Sequence, residues 1–256
     1  GITENGYFTT LGRGGSDTTA SILGVMLDAE RIEIYTDVDG VMTADPRIVK
    51  SASVIDIISY DEVFQLADQG SKVIHPRAVE YAREGNIPIM IKNTLNDTIG
   101  TLINSVGDRK RRRLITSITN HDDRIQVTIN LDDNKGNDRY NDVLEILAAN
   151  KISLDLINIF PRQQVFTISK AAKDIVKDIF GKLDLKYTLI DNCSTIALVG
   201  AGMKGIPGVM AKIYKTLSES NIEVLQTADS HMTIWCLIHT ENLEKAINAL
   251  HKAFKL

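Results

Sequence analysis

Cysteine is scarce here. Cys193 and Cys236 are the only two, with no CxxC pair and no His/Cys ligand spacing around them, which argues against a disulfide-stapled secreted scaffold or a zinc site. A reducing, cytoplasmic setting is expected. No apolar run approaches the ~20 residues that span a bilayer, and the start lacks the basic, apolar and small-residue regions of a signal peptide, so no membrane partner is expected. An excess of one charge is also missing: 29 Lys and Arg stand against 33 Asp and Glu, a net −4. No global field therefore favours nucleic acid or an anionic surface. The basic run Arg109-Lys110-Arg111-Arg112-Arg113 is the local exception. Without stacking aromatics it reads as a solvated linker rather than a nucleic-acid patch.

The apolar share is 43% of 256 residues, enough for one large core or two to three small ones. Ile2 to Thr10 reads as a hairpin turning at Asn5-Gly6, with Tyr7 to Thr10 as its return strand. A chain beginning inside a hairpin reads as truncated. Strand and helix then alternate to about Gly107, the texture of an α/β layer structure. Ile22, Val25 and Met26 carry helical spacing, and Arg31 to Tyr35 alternates as a strand. Ser59-Tyr60-Asp61-Glu62 is a capping box opening a helix with Val63, Leu66 and Ala67 on one face and Gly70 as its C-cap. Pro76 suits a first helical turn, ahead of Val79, Tyr81 and Ala82. Ile87 to Ile91 is a buried-type strand.

Beyond the basic run one unit occurs twice. The first copy reads β (Ile125 to Leu131), α (Tyr140 to Ala149), β (Ile152 to Ile159), β (Val165 to Ile168), α (Ile175 to Phe180), β (Leu185 to Leu189), a βαββαβ order. The second reads β (Thr195 to Val199), α (Val209, Ile213, Leu217), β (Ile222 to Leu225), β (Thr233 to Ile238) and α (Leu243 to Phe254). Asn150-Lys151-Ile152 against Asn221-Ile222 sets an offset of about 71 residues. Two ferredoxin-like sandwiches are expected, with the strand Leu114 to Thr119 completing the second sheet. The expected division is 1–107, a linker and strand over 108–123, then 124–192 and 193–256.

Three segments could carry chemistry. Leu11-Gly12-Arg13-Gly14-Gly15-Ser16-Asp17-Thr18-Thr19-Ala20 is a glycine-rich turn leading into a helix. Its backbone and helix dipole suit an anion, and Arg13 adds a planar fork for a carboxylate or phosphate. Glycine alone would mark only a turn; the Arg13 to Asp17 combination favours a site. Tyr35 to Arg47 follows a strand, and ligands of open α/β sheets bind beyond strand carboxyl ends, so Thr36 and Asp37 are candidates. The alternative is a plain Asp/Gly/Pro loop, and the acid spacing is not that of an EF-hand; no metal cage is expected. In Gly70-Ser71-Lys72-Val73-Ile74-His75-Pro76, Lys72 either reaches a transferring phosphate or merely complements a helix dipole. His75 reads as structural.

In this order, GRGGSDTTA, YTDVDGVMTADPRIV, GSKVIHPRAVEYA and VGAGMKGIPGVMAKIYKTLSESNI closely resemble the aspartokinase family, over essentially the whole chain. The resemblance implies the rear part of an amino-acid-kinase (carbamate-kinase-like) α/β/α domain followed by two ferredoxin-like ACT domains. It implies transfer of the γ-phosphoryl group of ATP, with Mg2+, to the β-carboxylate of L-aspartate, giving 4-phospho-L-aspartate for lysine, threonine, methionine and diaminopimelate synthesis. Arg13 falls at the position that binds the substrate α-carboxylate, with Ser16 and Asp17 shaping that pocket. Thr36, Asp37, Met42 and Arg47 fall at nucleotide-contact positions, and Lys72 near the ATP phosphates. The family's Lys-Phe-Gly-Gly phosphate loop and its acidic residue for the substrate amino group do not occur here, so the chain alone is expected to be inactive.

ACT domains bind amino-acid effectors at domain interfaces, and the second copy offers Met203, Gly205, Ile206, Pro207 and Gly208 between strand and helix; a plain connection is the alternative. In the first copy Asn134 to Tyr140 replaces the usual Pro-Gly start, which puts a lysine-type site there in doubt. The phrases Ile157-Asn158-Ile159-Phe160-Pro161 and Leu225 to His231 resemble diaminopimelate-sensitive aspartokinases, so diaminopimelate or lysine is the expected effector. Exposed sheet edges suggest a homodimer through the ACT units. The competing reading is a non-catalytic amino-acid-binding and dimerisation module.

Overall fold

In a computed structural model of the chain, residues 1–71, 73–108, 113–130, 138–203 and 205–256 are described, without the side chains of 138–142. Lys72, the run 109–112, residues 131–137 and Lys204 lie outside them. The first part contains α1 (Gly15–Met26), β1 (Ile32–Thr36), β2 (Ile57–Ser59), α2 (Tyr60–Asp68), α3 (Pro76–Glu84), β3 (Ile89–Asn93) and β4 (Thr101–Asn104). The strands form one sheet in the order β1-β3-β4-β2, parallel at β1/β3 and β2/β4 and antiparallel at β3/β4.

The capping box at Ser59 and Glu62 starts α2. Gly70, at φ 108, follows the last cap residue Gln69 and lets the Ser71 N–H reach the Leu66 carbonyl at 2.9 Å, closing the helix end. The expected N-terminal hairpin is reduced. Gly6 donates to the Thr3 carbonyl and Thr3 to the Tyr7 carbonyl, both at 2.9 Å, but only the Ile2–Phe8 bridge follows, and Tyr7 to Thr10 is no strand.

The second part contains β5 (Ser117–Asn130), α4 (Asp138–Ala149), β6 (Asp155–Phe160), β7 (Gln163–Ser169), α5 (Lys173–Lys182), β8 (Lys186–Val199), α6 (Val209–Glu219), β9 (Gln226–Asp229), β10 (Thr233–His239) and α7 (Leu243–Phe254). Its six strands form one sheet, β6-β7-β5-β8-β10-β9. Strands read separately from the sequence are fused: β5 runs through both repeats, as does β8, paired antiparallel from Ser117↔Val199 to Asn130↔Lys186. Register shifts at His121/Arg124 and Arg124/Gln126, with Asp123 and Asn192 at positive φ, bend the ribbon where it passes between repeats. The expected divisions at 123/124 and 192/193 fall inside these strands.

The strands expected at Ile152 and Ile222 start later. Lys151 and Asn221 turn through positive φ, and Ile152 and Ile222 donate back to Leu147 and Leu217 at 3.0 Å each. Both isoleucines plug the core under a helix end.

Three apolar cores result among the described residues, one in the first part and one in each repeat. They interpenetrate: Ala44 and Val49, from the loop after β1, lie in the core of the second repeat, while Val199 lies in the first part's core. Fully burying a side chain of valine size or larger contributes about 1.5–3 kcal/mol, so Val49 and Val199 above all fasten the halves together. Cys193 and Cys236 are buried, and burial pushes the Cys236 thiol up to about 12, leaving it unreactive. Among the described residues no helix is long and apolar enough to cross a membrane.

Candidate functional site

The glycine-rich loop ends at Gly14, the N-cap of α1, at φ 72 and with no side-chain cap. A Cβ there would lie 2.3 Å from the His75 ring, so both conformation and close approach require glycine. Asp17 Oδ2 accepts the His75 N–H at 3.3 Å, and Ser16 Oγ donates to Asp17 Oδ1 at 3.2 Å. His75 in turn caps α3, its Nδ1 accepting the Arg77 N–H at 3.3 Å, the structural role expected of it. Two of the three motifs are thereby brought together at the starts of α1 and α3, where helix dipoles favour an anion. Arg13 and Ser16 are exposed beside this junction.

Thr36 and Asp37 sit at the carboxyl end of β1. The Thr36 carbonyl accepts from the Thr94 N–H at 2.8 Å and Oγ1 at 3.0 Å, and Thr36 Oγ1 donates to Asp37 Oδ1 at 3.1 Å. Asp39, which the sequence reading did not single out, accepts from Asn96 Nδ2 at 2.8 Å and Asn93 Nδ2 at 2.7 Å. These two amides hold its carboxyl below the usual range. Its partners lie more than fifty residues away, so no local pattern marks it.

The same loop then leaves the strand end. The Met42 carbonyl accepts from Ser117 Oγ at 2.8 Å, and Met42 bridges Val54. Thr43 Oγ1 lies 2.9 Å from His251 Nε2 and the Thr43 carbonyl accepts from Ile118 at 2.9 Å. Arg47 forks onto Asp45, the shortest contact 2.6 Å, which holds the Asp45 carboxyl below its ordinary range. Thr36 and Asp37 thus face the strand end, whereas Met42 to Ala44 and Val49 dock on the second repeat.

That repeat carries a cavity of about 700 Å³. Met203, Gly205, Ile206, Pro207 and Gly208 form one wall, all five singled out from sequence. The opposite wall is β9 and its following turn, with Thr227, Asp229, Ser230 and His231. The turn is fixed by Ser230 Oγ, which accepts from Met232 and Thr233 N–H at 3.3 and 3.1 Å. Gly208, at φ 88, starts α6 without a side-chain cap, leaving first-turn amides for an anion, while Asp229 supplies negative charge for an ammonium group. A second cavity of about 500 Å³ lies between the end of α2 and the six-stranded sheet. On its walls Arg124 pairs with Asp155 and Trp235 Nε1 donates to Gln69 Oε1, both at 2.8 Å.

Comparison with known proteins gives two family matches, the amino acid kinase family over residues 1–93 and an ACT domain over 188–252. Aspartokinase 1 of Bacillus subtilis is 42% identical over 261 aligned residues, covering 100% of this chain and 64% of the relative. Aspartokinase 2 of the same organism is 34% identical, covering 100% and 65%. The chain thus spans somewhat less than two thirds of the length of these relatives. Among solved structures, aspartate kinase of Clostridium acetobutylicum superposes with a TM-score of 0.89 at 29% identity, over 99% of this chain and 61% of that one. Aspartokinase III of E. coli in complex with aspartate and ADP superposes with a TM-score of 0.80 at 28% identity, over 100% and 59%. The E. coli protein has also been solved with lysine and aspartate, with a TM-score of 0.78.

Proposed function

Since the chain belongs to the aspartokinase family, we propose that it serves phosphoryl transfer from Mg-ATP to the β-carboxylate of L-aspartate, giving 4-phospho-L-aspartate under feedback control. The observation carrying this is the junction of the glycine-rich loop with the α3 start through Asp17 and His75, which puts an exposed Arg13 beside two helix N-termini. In this reading Arg13 clamps the substrate α-carboxylate, and Ser16 and Asp17 shape its pocket. Thr36 and Asp37 contact the nucleotide at the end of β1, joined by Met42 and by Arg47, whose side chain is 87% exposed beyond its pair with Asp45. Lys72 serves the phosphates. Mg2+ would come with the triphosphate, a mode that asks for few protein ligands, and Asp37, whose Oδ1 accepts from Thr36 Oγ1 at the carboxyl end of β1, is the carboxylate that would hold it and let it neutralise phosphate charge. Such chemistry rests on positioning and charge stabilisation. The E. coli relative solved with aspartate and ADP supports the substrate class.

The regulatory ligand in this reading is an amino acid, diaminopimelate or lysine, in the 203–234 cavity, its carboxylate on the start of α6 and its ammonium toward Asp229. Residues 1–107 form the kinase portion, 124–192 and 193–256 the two ACT units, with 108–123 the linker and the strand completing the second ACT sheet, while β5 and β8 run on across the 123/124 and 192/193 divisions. A homodimer covers β6, where Ile157, Ile159 and Phe160 are 47%, 63% and 51% exposed. The test is Arg13→Lys in the full-length protein. The KM for aspartate is expected to rise about tenfold or more, as for loss of a charge-assisted fork of about 1.5–3 kcal/mol, while the KM for ATP stays put. An unchanged aspartate KM overturns the assignment.

A further inference from the structure

We propose that Glu62 is the strut linking the effector cavity to the substrate-side segment 59–75, an inference that rests on reading that cavity as an amino-acid site. Glu62 is only 6% exposed, and a carboxylate is costly to bury unless donors surround it. Two of its donors are local: Ser59 Oγ at 2.7 Å and Ser59 N–H at 3.3 Å, both on Oε2. The other two come from elsewhere in the chain. Oε1 accepts from Thr116 Oγ1 at 2.6 Å and from the Ala201 N–H at 3.0 Å. An N-cap alone needs neither.

Ala201 opens the short 3-10 turn Ala201–Met203, and Met203 lines the cavity. That turn is closely backed: a Cβ on Gly200 would lie 2.3 Å from the Leu114 carbonyl oxygen, and one on Gly202 2.3 Å from that of Arg113. A cavity wall that moves therefore moves against Glu62. On the other side, Glu62 sits in the first turn of α2, which is tied along the second repeat by Thr233 Oγ1 to Gln65 Oε1 at 3.2 Å and by Trp235 to Gln69. The helix runs into the 70–75 segment, and His75 holds Asp17. One rigid helix thus has the cavity wall bonded to its first turn and the substrate loop reached from its last.

The experiment perturbs the wall without a ligand. In the full-length protein, Pro207→Gly loosens the cavity loop through backbone freedom, and hydrogen exchange is followed in segments 59–75 and 200–208. With Glu62 present, exchange over 59–75 is expected to rise about threefold or more. With Glu62→Gln, whose amide cannot accept all four donors, the rise stays within 200–208. Thr116→Val, which removes one donor, gives an intermediate transmission and serves should Glu62→Gln not fold. Equal transmission with and without Glu62, or none in its presence, overturns the proposal. Calorimetric titration with diaminopimelate, lysine and threonine is read separately. Binding of none of them defeats the effector reading and leaves the exchange result to decide on Glu62.

Discussion

His251 is 3% exposed and meets Thr43 Oγ1 at 2.9 Å, where the loop after β1 docks on α7. Burial, with Arg113 nearby, lowers its pKa from the usual imidazole value. The folded state therefore favours its neutral form. Below about pH 6.5 the unfolded chain takes up a proton that the folded chain refuses, so its stabilising contribution, present above that pH, is lost as pH falls through the lowered folded pKa. Thermal unfolding midpoints are expected to drop between pH 6.5 and 5.5 more steeply in the parent than in His251→Gln; equal slopes contradict this. At this scale the sequence is legible where chemistry is local. Gly14, Asp17 and the Ser59/Glu62 box are visible as patterns, and Met203 to Gly208 stand out by their glycines and proline. Asp39 and the distant bonds of Glu62 are invisible, because their partners come from segments far along the chain.

Six of the described helices end in the same way. Asp28, Asn86, Lys151, Asp184, Asn221 and Lys255 adopt positive φ, and the next residue, Ala29, Ile87, Ile152, Leu185, Ile222 or Leu256, donates back to the helix at 2.9–3.2 Å. A polar residue tolerant of the left-handed turn followed by an aliphatic plug is a helix stop, and at Ile152 and Ile222 the apolar residue is easily misread as a strand start. Ile222→Ala is expected to cost about 2–5 kcal/mol, measured as the shift of a urea unfolding transition. A change below 0.5 kcal/mol would deny it the plugging role. Repeat order and helix positions were readable from periodicity. The fusion of four strands into β5 and β8 was not, because Asn120 to Asp123 and Asp191 to Asn192 are polar and look like loops, whereas they form the bend of a continuous ribbon.

At the scale of the molecule, the first part and the second repeat share core residues, so the loop after β1 is structural support for that repeat. Exposed apolar side chains gather on β6 at the sheet edge. For the proposed homodimer, Ile159→Lys is expected to shift the sedimentation of the full-length protein from dimer to monomer, and an unchanged sedimentation contradicts an interface at β6. The most direct test of the whole account is trapping of the acyl phosphate as a hydroxamate by the full-length protein, with ATP and L-aspartate, with and without diaminopimelate, lysine and threonine. ATP-dependent hydroxamate is expected with L-aspartate, suppressed by diaminopimelate or lysine. No hydroxamate with L-aspartate, or a rate that none of the three amino acids alters, would contradict it.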